Sequence, residues 1–247
     1  MAQSLADWVT SNVTPFRDRP LPWLSQYHFF RDPSRPAYND PSYFFSPADG
    51  ILLYQETVGP DEAILDIKGK RYSARDVLRD PGFDQESLVI AIFMTFFDVH
   101  VNRIPYPGRL SYRLADPVDS LNYPMLSVEE EILSGLRVSL RSATFLHNNQ
   151  RVINRIDSRQ LPGTYYVVQI ADYDVDSITP FELRQHQPCS QGERFSQIRF
   201  GSQVEIVIPL SKYYELVPLH PTGVHVEAGV DPLIEVRRPT SATSKDR

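Results

Sequence analysis

The sequence predicts a mainly β (α+β) protein: a β-sandwich or barrel-like core carrying a helical N-terminal arm. Three observations predict it. Short apolar or alternating runs recur along the chain, each bounded by Gly, Pro, Asn or Asp. The 21 prolines outnumber the 11 glycines, which argues against an all-helical architecture. Residues 88–97 and 164–170 are apolar runs rich in β-branched and aromatic side chains, the composition of buried strands.

Taken in order, residues 1–45 read as an arm. Ser4 to Val13 fits a short helix with Leu5, Trp8 and Val9 on one face, stopped by Pro15, Pro20 and Pro22. An aromatic cluster from Trp23 to Phe30 follows, expected to pack the arm over a core domain, residues 46–236, and then a proline-rich tether through Pro33, Pro36 and Pro41. Ser46-Pro47-Ala48-Asp49-Gly50 is a turn leading into a strand at 51–54. Residues 63–72 read as a hairpin turning at Lys68-Gly69, and 73–78 as a short helix ended by Pro81-Gly82. The run 88–97 leads to His100. Residues 111–140 lack pattern, and Glu129-Glu130-Glu131 read as a solvated helix face. A polar patch at 145–152 lies between strands. Asp172, Asp174 and Asp176 alternate after the strand 164–170. They could hold a hard cation but lack the glycine and terminal glutamate of a calcium loop, so they read as exposed turn acids. From residue 237 to 247 the chain is polar and expected to fray.

Composition narrows the functional classes. A net charge of −6 and a pI of about 5.5 argue against broad binding to nucleic acid. The one cysteine, Cys189, excludes an intramolecular disulfide and suits a reducing compartment. No stretch has the roughly 20 apolar residues that span a bilayer, and the N-terminus lacks the layout of a secretory signal. The expectation is a cytoplasmic protein, with membrane contact at most peripheral. No zinc spacing, phosphate loop or dinucleotide fingerprint occurs, and no metal is expected.

The chemistry worth weighing sits at Ile198-Arg199-Phe200-Gly201-Ser202, just before an alternating strand. Gly201 has no Cβ, so its carbonyl can be approached closely and its backbone is free to take unusual conformations. A base that removed the Ser202 hydroxyl proton would let that oxygen attack the preceding carbonyl carbon. By itself, Gly-Ser before a strand is a turn or bulge, and a histidine such as His100 at a strand end is a structural residue.

Four stretches supply a context. Phe29-Phe30-Arg31, Ser46-Pro47-Ala48-Asp49-Gly50, the segment from Phe97 to Arg103 and Ile198-Arg199-Phe200-Gly201-Ser202 together resemble the pyruvoyl-dependent phosphatidylserine decarboxylase family, from about residue 27 to residue 230. The resemblance implies a self-processing triad of Asp49, His100 and Ser202, with Asp49 orienting the His100 imidazole. It implies cleavage between Gly201 and Ser202 and conversion of Ser202 into a covalent pyruvoyl cofactor, whose ketone traps a substrate amine and accepts electrons as CO2 leaves. The implied reaction turns phosphatidylserine into phosphatidylethanolamine, and the implied partners are a phospholipid or a small amino acid, with room for a homodimer.

The chain departs from the family pattern in places. Gln203 replaces a small hydroxyl residue, and Phe97 stands where one branch has a second histidine. Asn148-Asn149-Gln150-Arg151 replaces a more charged pattern, and Ala171-Asp172-Tyr173-Asp174 brings acids where basic residues would suit a phosphate. Two alternatives therefore stand beside the phospholipid reading: the same chemistry on a soluble amino acid, and a family-like binding scaffold that no longer processes itself.

Overall fold

The computed structural model describes residues 2–238 apart from Pro162, Val175 and Leu183, and describes Leu21 and Ser25 in their backbone only. Among these residues a nine-stranded antiparallel sheet forms the centre. Its order is Gln3–Ser4, Val224–Val226, Gly50–Val58, Ser87–Met94, Ser202–Pro209, Gly163–Ala171, Arg151–Ser158, Gly108–Ala115 and Gln187–Cys189. The strand that opens with Ser202 is thus the middle one. Ser202 pairs with Met94 on one side and with Ala171 on the other.

Both faces are covered in the middle of this sheet, which explains the unbroken apolar runs there. Leu88, Ile90, Ile92 and Met94 join Val204, Ile206 and Ile208 in one core, whereas Val89, Ala91, Phe93 and Val207 join the other. Alternation sends neighbouring residues to opposite faces, and here both faces are dry. The second core is closed by Leu5, Trp8, Val13, Leu24 and Phe29 of the first 45 residues and by the helices Ala74–Leu78 and Leu126–Leu133. The first is closed by two three-stranded sheets. One joins Tyr43–Phe45, Pro232–Arg237 and Glu215–Pro218. The other joins Val101–Arg103, Arg194–Ile198 and Ile178–Pro180. The outcome is the mainly β, layered architecture expected, with short helical turns at the N-terminus. No helix among the described residues is long and apolar enough to cross a membrane.

Several local expectations change. The helix expected over 4–13 is α only over Leu5–Trp8, capped by Ser4, and widens to π geometry over Val9–Val13. The run 88–97 stops being a strand at Met94, because Asp98 folds back on Thr95: its Oδ2 accepts from Thr95 N at 2.7 Å and from Thr95 Oγ1 at 2.8 Å. The helix Ala74–Leu78 has the Ser73–Asp76 capping box, but Arg79 in the left-handed region ends it, not Pro81-Gly82. Residues 111–140 hold most of the strand Gly108–Ala115 and the helix Leu126–Leu133. The patch at 145–152 is buried from Asn148 through Arg151. Arg237 ends a strand, and residues 239–247 of the expected tail lie outside the described residues.

One polar network crosses the inside of the molecule. Glu205, wholly buried, accepts from Tyr54 Oη at 2.6 Å, from Gln203 Nε2 at 2.6 Å and from Tyr72 Oη at 3.2 Å. Arg151, also wholly buried, donates to Tyr72 Oη at 3.3 Å and to the carbonyls of Asp76, Val77 and Leu146. Burial lifts the Glu205 carboxyl above its ordinary range, against the pull of Tyr54 and Arg151. A buried cation costs least when every donor is used. Replacing Arg151 by Met removes its bonds to the carbonyls of Asp76, Val77, Leu146 and Asn149, and is expected to lower unfolding free energy by about 3–5 kcal/mol. Tyr54→Phe, which removes the bond to Glu205 and the long one from Gln203 Nε2 at 3.4 Å, is expected to cost about 1 kcal/mol; denaturant titration checks both.

Candidate functional site

The chain leaves the strand Arg194–Ile198, bends through Arg199, Phe200 and Gly201, and enters Ser202–Pro209. Phe200 has φ of +63°, a left-handed conformation that a phenylalanine adopts only under constraint. Its ring meets the edge of Phe29 with centroids 6.4 Å apart. The sequence reading credits Gly201 with the unusual backbone; the strain lies one residue earlier. Gly201 is needed for space. A Cβ there would lie 3.0 Å from Asp172 Oδ2, 3.5 Å from the Phe96 ring and 3.6 Å from Glu129 Oε2. Ser202 is fully buried, and its Oγ donates only to the Met94 sulfur, at 3.3 Å. A thioether is a weak acceptor, so the hydroxyl is lightly held.

His100 is fully buried in the same aromatic cluster. Its ring stacks on Phe29 at 4.6 Å, its N–H donates to the Phe29 carbonyl, and its own carbonyl accepts from Ile198 N. Nδ1 lies 3.0 Å from the Asp98 carbonyl oxygen. A carbonyl can only accept, so Nδ1 carries the proton and Nε2 the lone pair. Nε2 is buried without a hydrogen-bond partner. Burial pushes the imidazole down to about 4, against the pull of Asp98. The ring is therefore neutral at pH 7, with its basic nitrogen bare.

Asp49 stands elsewhere than the triad scheme implies. Arg35 holds it in a fork, Nη1 to Oδ1 and Nη2 to Oδ2, each at 2.6 Å, and Ala228 N donates to Oδ1 at 2.8 Å. Neither oxygen bonds to His100, on which Asp49 acts through charge alone. The imidazole is oriented by the backbone of Asp98 instead. Gly50 fixes the bend beside Asp49, because a Cβ there would lie 2.1 Å from the Phe93 carbonyl oxygen.

The turn at residues 95–100 is gripped from several sides. Arg31 donates to the carbonyls of Phe97 and His28 at 2.6 Å and of Asp98 at 3.2 Å. The Asp98 carboxylate accepts from His225 Nε2 at 2.7 Å, and His225 stacks on Trp8 at 4.7 Å. Burial alone would raise the Asp98 carboxyl, but His225 and Thr95 hold it below its usual range. Glu129 Oε1 accepts from Phe96 N at 2.9 Å.

Two acids read from the sequence as solvated are buried here. Glu129 is 4% exposed and Asp172 3%. Burial pushes Glu129 up to about 8 and Asp172 up to about 6. A signal for Glu129 was present: Met125, Val128 and Ile132 form an apolar stripe, and position 129 falls on the same helix face. No local signal marks Asp172 or the Asp98–His225 pair. Asp174 is exposed, and Asp176 bonds to Gln150 through both its backbone N–H and Oδ1. No group of three acids, histidines or cysteines among the described residues could hold a metal ion.

Two cavities flank Phe200. One of about 410 Å³ is lined by Phe96, Pro124, Leu126, Asp172, Tyr173, Asp174 and Phe200. The other, about 400 Å³, is lined by Gln26, Phe29, Phe30, Asp174, Arg199 and Phe200. The site is thus a weakly bound serine hydroxyl after a strained bend, a neutral histidine with a bare nitrogen, and two cavities against the bend.

A layered β protein with a buried serine of this kind defines a class that the comparisons with known proteins make definite. The sequence profile of the phosphatidylserine decarboxylase family matches residues 26–230. A phosphatidylserine decarboxylase proenzyme of Pelagibacter ubique is 33% identical over 181 residues, covering 73% of this chain and 67% of the relative. A provisionally named archaetidylserine decarboxylase proenzyme of Methanopyrus kandleri is 33% identical over 212 residues, covering 85% and 81%. A phosphatidylserine decarboxylase proenzyme of Erythrobacter litoralis is 32% identical over 186 residues, covering 73% and 62%. The chain belongs to the phosphatidylserine decarboxylase family.

The neutral state of His100 sets a pH dependence. The unfolded chain takes up a proton at this residue below about 6.5, whereas the folded chain resists until about 4. The unfolded state binds more protons in that window, so stability is complete above it and is lost as pH falls through it. His28, lowered to about 4 by burial and Arg31, adds in the same direction. Replacing His100 by Gln is expected to flatten the acid limb of a stability–pH curve by an amount on the order of 3 kcal/mol; chemical denaturation at stepped pH measures it.

Proposed function

We propose that the chain is a self-processing, pyruvoyl-dependent decarboxylase that opens its own Gly201–Ser202 bond. The observation that carries this reading is His100: a buried, neutral imidazole whose Nδ1 is fixed as a donor and whose Nε2 has nothing to accept from. An orphaned buried acceptor is a liability of about 1–3 kcal/mol in a merely structural residue. It is the state a general base needs before it takes a proton.

In the proposed step Ser202 gives up its weak bond to Met94 and passes its proton to His100 Nε2. The freed Oγ attacks the Gly201 carbonyl carbon, the C–N bond breaks, and the proton is delivered to the Ser202 nitrogen. An ester joins the two segments. The strained Phe200 backbone favours this opening, because the strain can relax once the peptide link is gone. Asp49 supports the charge on the imidazole at a distance. Elimination from the ester, addition of water and loss of ammonia would leave residue 202 as a pyruvoyl group. The buried Ser202 and the orphaned His100 nitrogen fit such a group. When bound to substrate it supplies a conjugated carbonyl able to accept electrons as CO2 departs.

The proposed substrate is phosphatidylserine, giving phosphatidylethanolamine and CO2. The family supports this, as do the exposed apolar Leu126 and Tyr173 lining the larger cavity, which suit an amphiphile. A second reading, decarboxylation of a soluble amino acid, is favoured by the acids in the same place: Asp172 and Asp174 line the cavities, and among the described residues Arg199 is the one lining cation there to meet a phosphate.

Intact-mass measurement is expected to find residues 1–201 and 202–247 as separate chains, the second without a free N-terminal amine. Ser202→Ala is expected to remain whole at 28.3 kDa, and His100→Ala to process at least a hundredfold more slowly. A His100→Ala protein that matures at the normal rate removes that residue as the base. Carbon dioxide release from phosphatidylserine vesicles, compared with free amino acids, separates the two substrates.

A further inference from the structure

The carboxyl groups of Glu129 and Asp172 have the same construction. Each accepts from a backbone N–H of another segment: Glu129 Oε1 from Phe96 N at 2.9 Å, and Asp172 Oδ1 from Met125 N at 2.7 Å, with the Tyr173 N–H also favouring the Asp172 carboxylate. Each turns its other oxygen on Gly201, Asp172 Oδ2 and Glu129 Oε2 lying 3.0 and 3.6 Å from the position a Cβ there would take. Neither forms an ion pair among the described residues. Glu129 comes from the helix Leu126–Leu133 and Asp172 from the residue after the strand Gly163–Ala171, so two unrelated elements converge on one glycine.

We propose that Glu129 and Asp172 are an acid pair that completes processing by protonating the Gly201 carboxylate as it leaves Ser202. This rests on the self-cleavage proposed above. Because Oε1 already accepts from Phe96 N–H, the proton of a neutral Glu129 sits on Oε2, the oxygen facing Gly201.

The step balances as follows. In the ester, the Gly201 acyl carbon is bonded to Ser202 Oγ. A base, His100 once again neutral, removes the Cα proton of residue 202. That electron pair forms the Cα–Cβ double bond. The Cβ–Oγ bond breaks, its pair leaves on the Gly201 carboxylate, and the Glu129 Oε2 proton is donated to it. A carboxylate leaving in a buried site beside the negative Asp172 departs far more readily when a neutral acid meets it. Asp172 keeps that acid neutral through its negative field.

Burial supports this protonation state, with Glu129 up to about 8 and Asp172 to about 6. The charged groups facing the pair are few. Asp98 from the 95–100 turn and Asp172 both raise Glu129, and Asp174 raises Asp172. Arg199 lines the neighbouring cavity.

The test uses the full chain made by cell-free synthesis, so that maturation starts at a known time, with intact mass read across roughly pH 6 to 10. Hydroxylamine in parallel samples cuts and so counts the ester. The expected wild-type behaviour is a maturation rate falling about tenfold per pH unit above about 8. Glu129→Gln is expected to form the hydroxylamine-sensitive ester but to finish about 10² to 10⁴ times more slowly, without the alkaline limb. Asp172→Asn, which removes the negative field, is expected to move that limb to lower pH. Circular dichroism establishes that each variant is folded. A folded Glu129→Gln protein that matures at the wild-type rate with the wild-type limb overturns the inference. Should that variant fail to fold, an Asp172→Asn limb left in place overturns it equally. A wild-type chain that stays uncut at every pH, with no ester, instead removes the self-cleavage reading itself.

Discussion

A sheet whose middle strands are dry on both faces is the constraint on which the rest depends. Every polar group at the ends of Ser87–Met94 and Ser202–Pro209 must find a partner within the protein, since water cannot reach it. Most do: Asp98, Asn102, Gln169 and Glu205 are all buried and bonded. His100 Nε2 and Gln203 Oε1 do not, and Ser202 Oγ has only a sulfur. Orphaned atoms occur elsewhere too, at His28, His147 and Ser177, so what sets His100 apart is an orphaned nitrogen in the aromatic cluster that also holds the bend before a lightly held serine hydroxyl.

The two-residue period of the strand keeps the reacting group apart from the stabilising network. Gln203 and Glu205 alternate with Ser202 and Val204, so their side chains leave the sheet on the opposite face. Gln203 binds Glu205 there. Gln203 therefore belongs to the core network on one face, and the serine's own surroundings lie on the other. The turn at 95–100 is held in a complementary way. Arg31, Glu129 and His225 come from three separate parts of the chain, and each grips it through a different atom.

Much of this was legible in the sequence, and what was not had a physical reason. The strands at 88–94 and 163–171 announce themselves by composition, and the hairpin at Lys68-Gly69 by its turn. Gly201, Ser202 and His100 were reached through the family's motifs, not through any periodicity. Glu129 was misjudged because a run of three glutamates reads as solvated, although the helix stripe turns the first of them inward. Asp172 was misjudged because alternation after a strand says nothing about a helix that folds over it from residue 125 onward. The Arg35–Asp49 fork and the Asp98–His225 pair join residues 14 and 127 positions apart. Pairing at the longer of those separations leaves no trace in local pattern.

The topology around Ser202 bears on what becomes of the molecule after a break there. Residues 202–238 supply the middle strand of the large sheet, a strand near its far edge, and two strands of a smaller sheet. Ser202–Pro209, Val224–Val226 and Pro232–Arg237 each pair with strands that precede the break. The two polypeptides would remain interlocked by hydrogen bonds along Ser202–Pro209 on both sides, as an obligate heterodimer made from a single gene product. The short piece would have no fold of its own to return to if the pair were pulled apart, so the assembly could be made only once, while the chain was still continuous.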